Sequence, residues 1–183
     1  MSTKTATRFF TIADYEEEEI WLREQHRNGW KLTKTTLPCF YTFESCVPED
    51  VIYRLDFQNG GEKDDYYQIF RDYGWEPFER MAGWIYFRKR AAEVDAEQDG
   101  ELFSDSSSRI ERVDRIFRTR MLPLLIIFCG CLIPNFIMSV LGGYPFADVF
   151  TGVFGALVLA YVYLLVYCGL RLRALRKKYG DRD

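Results

Sequence analysis

The sequence has few of the residues on which enzyme chemistry depends. It contains one histidine, His26, and five cysteines without metal-binding spacing. Cys129 and Cys131 form only a C-x-C inside an apolar run, so we expect neither a zinc site nor a disulfide framework. There is no nucleophile-elbow motif and no glycine-rich phosphate loop. These absences argue against an enzyme and predict no bound metal and no cofactor.

The chain also lacks a large excess of either sign of charge, because its net charge is only −3. Without a basic excess, we expect no nucleic-acid partner.

The opening residues MSTKTATRFF contain no apolar segment, so we expect no cleaved signal peptide. The acidic run Glu16–Glu19 is interpreted as a helix start with a solvated face, and His26 as a surface or half-buried residue.

Charge is missing altogether from two long apolar segments, residues 121–143 and 149–170. Each is long enough to cross a hydrocarbon core of about 30 Å as a helix. The connection between them is short, which predicts an antiparallel transmembrane hairpin. The rival interpretation is a buried hairpin in a soluble protein.

Basic residues flank both segments, and the connecting loop has none. The set before the first segment is Arg109, Arg112, Arg115, Arg118 and Arg120, and the set after the second is Arg171, Arg173, Arg176, Lys177 and Lys178. The positive-inside rule therefore predicts a membrane protein with both termini in the cytoplasm.

The hairpin lacks membrane-embedded carboxylates and lysines, which favours an anchor over a transporter. Gly152, Ala156 and Ala160 recur every four residues, so a helix could approach closely there. That helix would belong to the first segment, to a membrane-protein partner or to another copy of the chain. Asn135 is interpreted as bonding either across the helices or to a carbonyl freed by Pro134.

The remaining sequence, residues 8–90, has two similar halves offset by 45 residues. Gly29–Trp30 recurs as Gly74–Trp75, and Tyr41 as Tyr86. In each half we predict strand-helix-strand-strand, with the first strand at TRFFTI or VIYRLDFQ and a glycine ending each helix. The predicted fold is α+β: a tandem repeat forming one antiparallel sheet with two helices on one face, followed by the transmembrane hairpin.

The segments between these regions differ in charge. Residues 91–108 carry six acids and no base, which predicts a flexible tether. Residues 109–120 place apolar side chains at helical spacing, which predicts a basic juxtamembrane helix that lies on an anionic leaflet or simply extends the first span. Residues 171–183 form a basic cytoplasmic tail.

Aromatic residues make up 17% of the chain and are the remaining functional signal. One interpretation is core packing. The other is an aromatic-walled pocket in which a carboxylate faces a small hydrophobic or cationic ligand. The residues assigned to that pocket are Tyr41, Tyr53, Asp56, Trp84 and Tyr86.

The pattern resembles a bacterial family of unknown function whose members are typically encoded beside PadR-type regulators and often carry two membrane helices. The residues carrying the resemblance are Gly29, Trp30, Tyr53, Arg54, Leu55, Asp56, Phe57, Gly74, Trp75, Tyr86, Phe87, Arg88 and Lys89. The family supplies no catalytic residues. A weaker resemblance, in fold only, is to the gyrase-inhibitor-like effector-binding domains, which implies a small, often hydrophobic cationic ligand.

Two functional hypotheses follow. The first is a membrane-anchored cytoplasmic sensory or interaction module that binds a small amphipathic ligand or a partner protein, within the PadR-linked envelope or stress response that the family resemblance implies. The second is a non-catalytic membrane scaffold or accessory subunit, in which the hairpin associates with a transporter or with itself.

Overall fold

The structure, a computed structural model, describes residues 2–58, 64–94, 102, 106–142 and 146–180. The chain divides into two compact units, Met1–Arg112 and Val113–Asp183. Most of the linker predicted at 91–108 lies outside the described residues. In the first unit the elements are β1 (Thr3–Thr7), α1 (Tyr15–Arg27), β2 (Trp30–Thr36), β3 (Phe40–Ser45), β4 (Val51–Phe57), α2 (Asp64–Asp72), β5 (Glu76–Met81) and β6 (Trp84–Arg90).

The strands form two antiparallel sheets, in the orders β1-β3-β2 and β4-β6-β5. The α+β class is confirmed, but the prediction of one continuous sheet is wrong. Although β2 lies beside β5, side chains bridge this seam where a continuous sheet would have a hydrogen-bonded ladder. Nη1 of Arg88 lies 3.5 Å from the Leu32 carbonyl oxygen of β2, and the same guanidinium pairs with Glu76 of β5.

The two helices lie on opposite faces of the second sheet, so the prediction that they share one face is also wrong. Tyr86 of β6 bonds to Glu18 of α1. Its neighbours Ile85 and Phe87 point to the other face, where they pack with Phe70 of α2. Alternation along β6 therefore presents one face to each helix.

The first strand begins earlier than predicted. Residues Thr3–Thr7 pair with Phe40–Glu44 of β3, whereas Phe10 and Ile12 lie beyond the strand. Phe10 packs instead against Trp21 of α1, with ring centroids 5.7 Å apart. The aromatic residue covers the helix from a loop, which the local pattern of TRFFTI does not reveal.

Several repeated features do match the predicted spacing. Both halves have the order strand-helix-strand-strand and the same strand order within the sheet. Gly29 and Gly74 follow their helices with φ of +81° and +79°, the left-handed conformation that glycine adopts most easily. The register shifts at Leu32/Lys34 in β2 and at Pro77/Glu79 in β5 are also 45 residues apart. Duplication itself stays a prediction.

The acidic run on α1 is only partly solvated, which corrects the interpretation of Glu16–Glu19 as a solvated face. Glu18 and Glu19 are buried. Oε1 of Glu19 accepts the Leu55 N–H at 2.8 Å, and Oε2 lies 3.3 Å from Nη1 of Arg54. Nη1 of Arg112 donates to the Leu55 carbonyl at 2.8 Å. Side chains thus bond the Leu55 N–H and carbonyl at the free edge of β4. A buried backbone group without a hydrogen-bond partner would lower the stability of the fold.

Two helices are long and apolar enough to cross a membrane, Ser108–Val140 and Ala147–Gly180, and the second unit contains the first of them from Val113 onward and all of the second. Almost none of either apolar window is buried, unlike the core helix of a soluble protein. The first comprises α3 (Ser106–Ile116), a π-helical turn (Phe117–Met121), α4 (Leu122–Ile127), a second π-helical turn (Phe128–Leu132) and α5 (Ile133–Val140); the second is α6 (Ala147–Gly180).

The two long helices pack as a hairpin. Oγ of Ser139 lies 2.6 Å from Oγ1 of Thr151, and the Phe128 and Tyr161 rings stack at 6.1 Å. Nδ2 of Asn135 donates to the Cys131 carbonyl at 2.8 Å, which is a main-chain partner on its own helix.

The Leu55 contacts predict how the first unit responds to loss of one carboxylate. Glu19→Ala should lower the free energy of unfolding by about 1–3 kcal/mol, because it leaves a buried N–H without an acceptor. The measurement is urea denaturation of the full chain in detergent micelles. Glu24→Ala, at an exposed position on the same helix, is the matched control and should change little. Equal effects of the two substitutions would contradict this assignment.

Candidate functional site

The five residues predicted to line an aromatic pocket are all buried, with at most 8% of each exposed. The structure brings only two of them together through hydrogen bonds: Tyr41 and Tyr86 donate to the same carboxylate oxygen, Oε1 of Glu18, at 3.0 and 2.8 Å. Such burial is what the core-packing alternative predicts. The ligand-binding role of the five stays a prediction.

Glu18 joins the two halves of the first unit. Burial raises the pKa of its carboxyl group, and the two tyrosine hydrogen bonds oppose that effect. Burial and the nearby Glu18 charge raise the pKa of both Tyr41 and Tyr86, so the hydroxyls remain donors. The two tyrosines are 45 residues apart, and the helix of the first half links them.

The other three residues lie in separate environments. Oδ2 of Asp56 accepts hydrogen bonds from Tyr66 and Gln58 at 2.6 and 2.7 Å, while its Oδ1 is buried without a partner among the described residues. Trp84 packs between Tyr15 and Phe57, with ring centroids 5.4 and 5.2 Å away.

Tyr53 lies next to a residue that lines a cavity on this unit. Its hydroxyl lies 2.8 Å from Nδ1 of His26, and His26 lines a groove of about 430 Å³. His26 is buried, which corrects its interpretation as a surface or half-buried residue. The charged residues lining the groove are Lys31, Arg88, Lys89 and Arg90 together with Glu49, Glu76 and Glu93.

Most of these charges are already paired. Nε and Nη2 of Arg88 donate to the two Glu76 oxygens at 2.6 and 2.5 Å, and this contact lowers the pKa of Glu76. Arg90 lies 3.5 Å from Glu49 and 3.9 Å from Glu93. Nζ of Lys89 donates to the Tyr73 carbonyl at 2.9 Å.

Lys31 differs from the other cations of the groove. Among the described residues, its ammonium group makes no hydrogen bond or ion pair. Its charge still acts on its neighbours, because it contributes to lowering the pKa of His26 and of Glu76. A β2 lysine within a concave surface is available to a ligand.

His26 is held neutral by its surroundings. Burial lowers the pKa of the imidazole most, the Arg88 and Lys31 charges lower it further, and only Glu49 raises it. Burial raises the pKa of Tyr53 to about 12, although the Leu32 N–H and the Arg88 guanidinium act on the Tyr53 oxygen in the opposite sense. The pair is therefore a neutral imidazole facing a neutral phenol.

Sequence reasoning did not assign a site to His26, Lys31 or Arg88. Arg88 carried part of the family resemblance and His26 is the only histidine, but neither signal specifies a groove. The lining residues come from α1, the strand ends and residues 46–49, which are distant in sequence. Their charges resemble those of an ordinary solvated surface.

Comparison with known proteins identifies the family. The model of the family described as "Protein of unknown function (DUF2812)" matches residues 14–127, so the chain belongs to that family. This confirms the expected relationship to an uncharacterised family. No curated protein and no solved structure matches the chain significantly.

The raised pKa of Glu18 predicts how stability varies with pH. Folding favours the protonated acid, so this contribution is present at low pH and is lost as the pH rises through the folded-state pKa. Relative to wild type, Glu18→Gln should therefore gain stability as the pH rises from about 4.3 to the raised folded-state pKa, at up to roughly 1.4 kcal/mol per pH unit, and the difference should be constant above that pKa. The measurement is urea denaturation of the full chain across a pH series.

The control for this experiment is Glu24→Gln, an exposed glutamate on the same helix. Its difference from wild type should stay flat over the same range. If the Glu18→Gln difference is equally flat, Glu18 is not held as a destabilised buried acid.

Proposed function

We propose that this member of the DUF2812 family is a membrane-anchored sensory module whose first unit faces the cytoplasm and binds a small ligand in the groove beside His26. The observation that carries the proposal is the groove itself. Its volume of about 430 Å³ lies within the usual range for small-molecule sites, and it presents polar groups from several elements. Val47 and Val51 add apolar surface, which suits an amphipathic ligand.

The anchoring part of the proposal rests on the second unit. Its helices are long and apolar enough to cross a bilayer. The basic residues before the first and after the second support an orientation with both termini in the cytoplasm. A PadR-linked response is the cellular context that the family resemblance favours.

A scaffold function is the second candidate, and one observation favours it. Gly152, Ala156 and Ala160 are exposed on α6, and a Cβ added at Gly152 would meet nothing within 4 Å. This stripe remains open for another transmembrane helix, from a second copy or from a membrane-protein partner. A scaffold of this kind requires no ligand in the groove.

The sensory proposal predicts ligand-dependent stabilisation of the full chain in detergent micelles. A ligand present at 100 times its dissociation constant stabilises the folded state by about 2.7 kcal/mol and therefore raises the unfolding midpoint. The measurement is a thermal-shift screen of small anions, neutral compounds and lipophilic cations.

Two variants locate any binding that the screen finds. Val47→Trp places a large side chain at the exposed wall of the groove and should abolish the shift. Ile20→Trp alters a similarly exposed apolar position on α1 outside the groove and should retain it. A screen without hits favours the scaffold, and equal responses of the two variants would place the ligand elsewhere.

The proposed orientation predicts the behaviour of reporter fusions in bacterial cells. Alkaline phosphatase fused after Gly142, in the connecting loop, should be active because that loop is outside. The same enzyme fused after Gly180 should be inactive, whereas green fluorescent protein fused there should fluoresce. The reverse pattern of phosphatase activity would overturn the proposed orientation.

A further inference from the structure

We propose that the ligand of this groove is a small anion, a carboxylate or a phosphate, held between Nζ of Lys31 and the Nε2–H of His26. The inference rests on the proposed ligand-binding function and specifies the chemistry of its site. It depends on the charge pairing within the groove and on the hydrogen bond between His26 and Tyr53.

Charge pairing leaves the groove positive. Four cationic and three carboxylate side chains line it, so one positive charge is in excess. Each carboxylate already faces an arginine: Glu76 faces Arg88, and Glu49 and Glu93 face Arg90. A cationic ligand would have to compete with those arginines, whereas an anion meets an ammonium group that has no partner among the described residues. Anionic ligands are therefore favoured.

The Tyr53 contact determines which nitrogen of His26 carries the proton. The Arg88 charge acts to lower the pKa of both the Tyr53 hydroxyl and the His26 imidazolium, which favours the phenol as donor and the neutral imidazole as acceptor. We therefore assign the hydroxyl proton of Tyr53 to the hydrogen bond with Nδ1 of His26, 2.8 Å away. In a neutral imidazole whose Nδ1 accepts, Nε2 carries the hydrogen. His26 lines the groove and its Nδ1 is engaged by Tyr53, so we assign its remaining N–H, at Nε2, to the ligand.

Two donors and one fixed positive charge thus line the same groove. Lys31 supplies an ammonium group, His26 supplies an N–H, and Arg88 supplies a positive charge whose position is fixed by Glu76. Hydrogen bonds from charged donors to an anion are the strong class in proteins. Carboxylates and phosphates share the acceptor oxygens that this arrangement fits.

The test uses the fact that His26 is the only histidine in the chain. Full-length protein labelled with ¹³C at histidine Cε1, in detergent micelles, is titrated with inorganic phosphate or acetate at constant ionic strength. Binding should shift the single imidazole resonance saturably. It should also raise the pKa of His26, because an anion counters the effect of Arg88 and Lys31 on the imidazolium. The groups facing His26 during this titration are Tyr53, Arg88, Lys31 and Glu49.

Lys31→Gln and Lys34→Gln form a matched pair on β2. Lys34 is exposed and does not line the groove. Lys31→Gln should weaken the apparent affinity for at least one of the anions about tenfold, as expected for loss of a charge-assisted hydrogen bond, and Lys34→Gln should leave it unchanged. Equal responses of the two variants would overturn the inference, because a non-specific effect of charge would then explain the shift.

The comparison of phosphate with acetate separates the two sources of anionic oxygen. Saturation by either one supports the inference and names its class. If neither anion gives a saturable shift while neutral or cationic compounds still stabilise the protein through the groove, the anion assignment fails and the proposed function stands. If no compound binds the groove, both fail.

Discussion

The first unit depends on one constraint: two adjacent carboxylates of α1 are buried and must be matched by donors. Glu18 accepts hydrogen bonds from the hydroxyls of Tyr41 and Tyr86, and Glu19 accepts one from the Leu55 N–H. An unmatched buried carboxylate would cost several kcal/mol, so these bonds fix α1 against both sheets. Leu22 and His26 follow Glu18 at intervals of four and lie on the same helical face. The position of His26 beside the groove is therefore a consequence of how Glu18 is bound.

Local signals in the sequence predicted local structure well. The glycines that end α1 and α2 require a left-handed backbone, and the apolar segments require length and absence of charge; both signals are contained within a few turns of chain. The acidic run gave the wrong prediction because the partners of Glu18 and Glu19 are 23 to 68 residues away. The local sequence around a glutamate that becomes buried does not differ from that around a glutamate that stays exposed.

The sequence does not show which aromatic side chains become buried and which charged side chains line a cavity. Tyr53, Trp84 and Tyr86 looked like pocket walls, but a tyrosine can be buried entirely once its hydroxyl has a partner. Lys31 and Arg88 looked like surface charges, yet they line the cavity. Sequence periodicity could place these residues on strands, but it is the packing of β2 beside β5, across the seam of the two sheets, that brings them together.

In the second unit, proline removes main-chain donors from the first long helix. Each π-helical turn, Phe117–Met121 and Phe128–Leu132, is followed two residues later by a proline, Pro123 or Pro134. Because proline has no backbone N–H, it cannot donate the usual i→i−4 hydrogen bond, and the helix there adopts the wider i→i−5 pattern of a π-helix. In hydrocarbon each freed carbonyl needs another partner, and the Asn135 side chain donates to a main-chain carbonyl in this region, that of Cys131. The polar residue thereby stabilises an irregular helix, and a membrane anchor can contain Asn135 without a transport function.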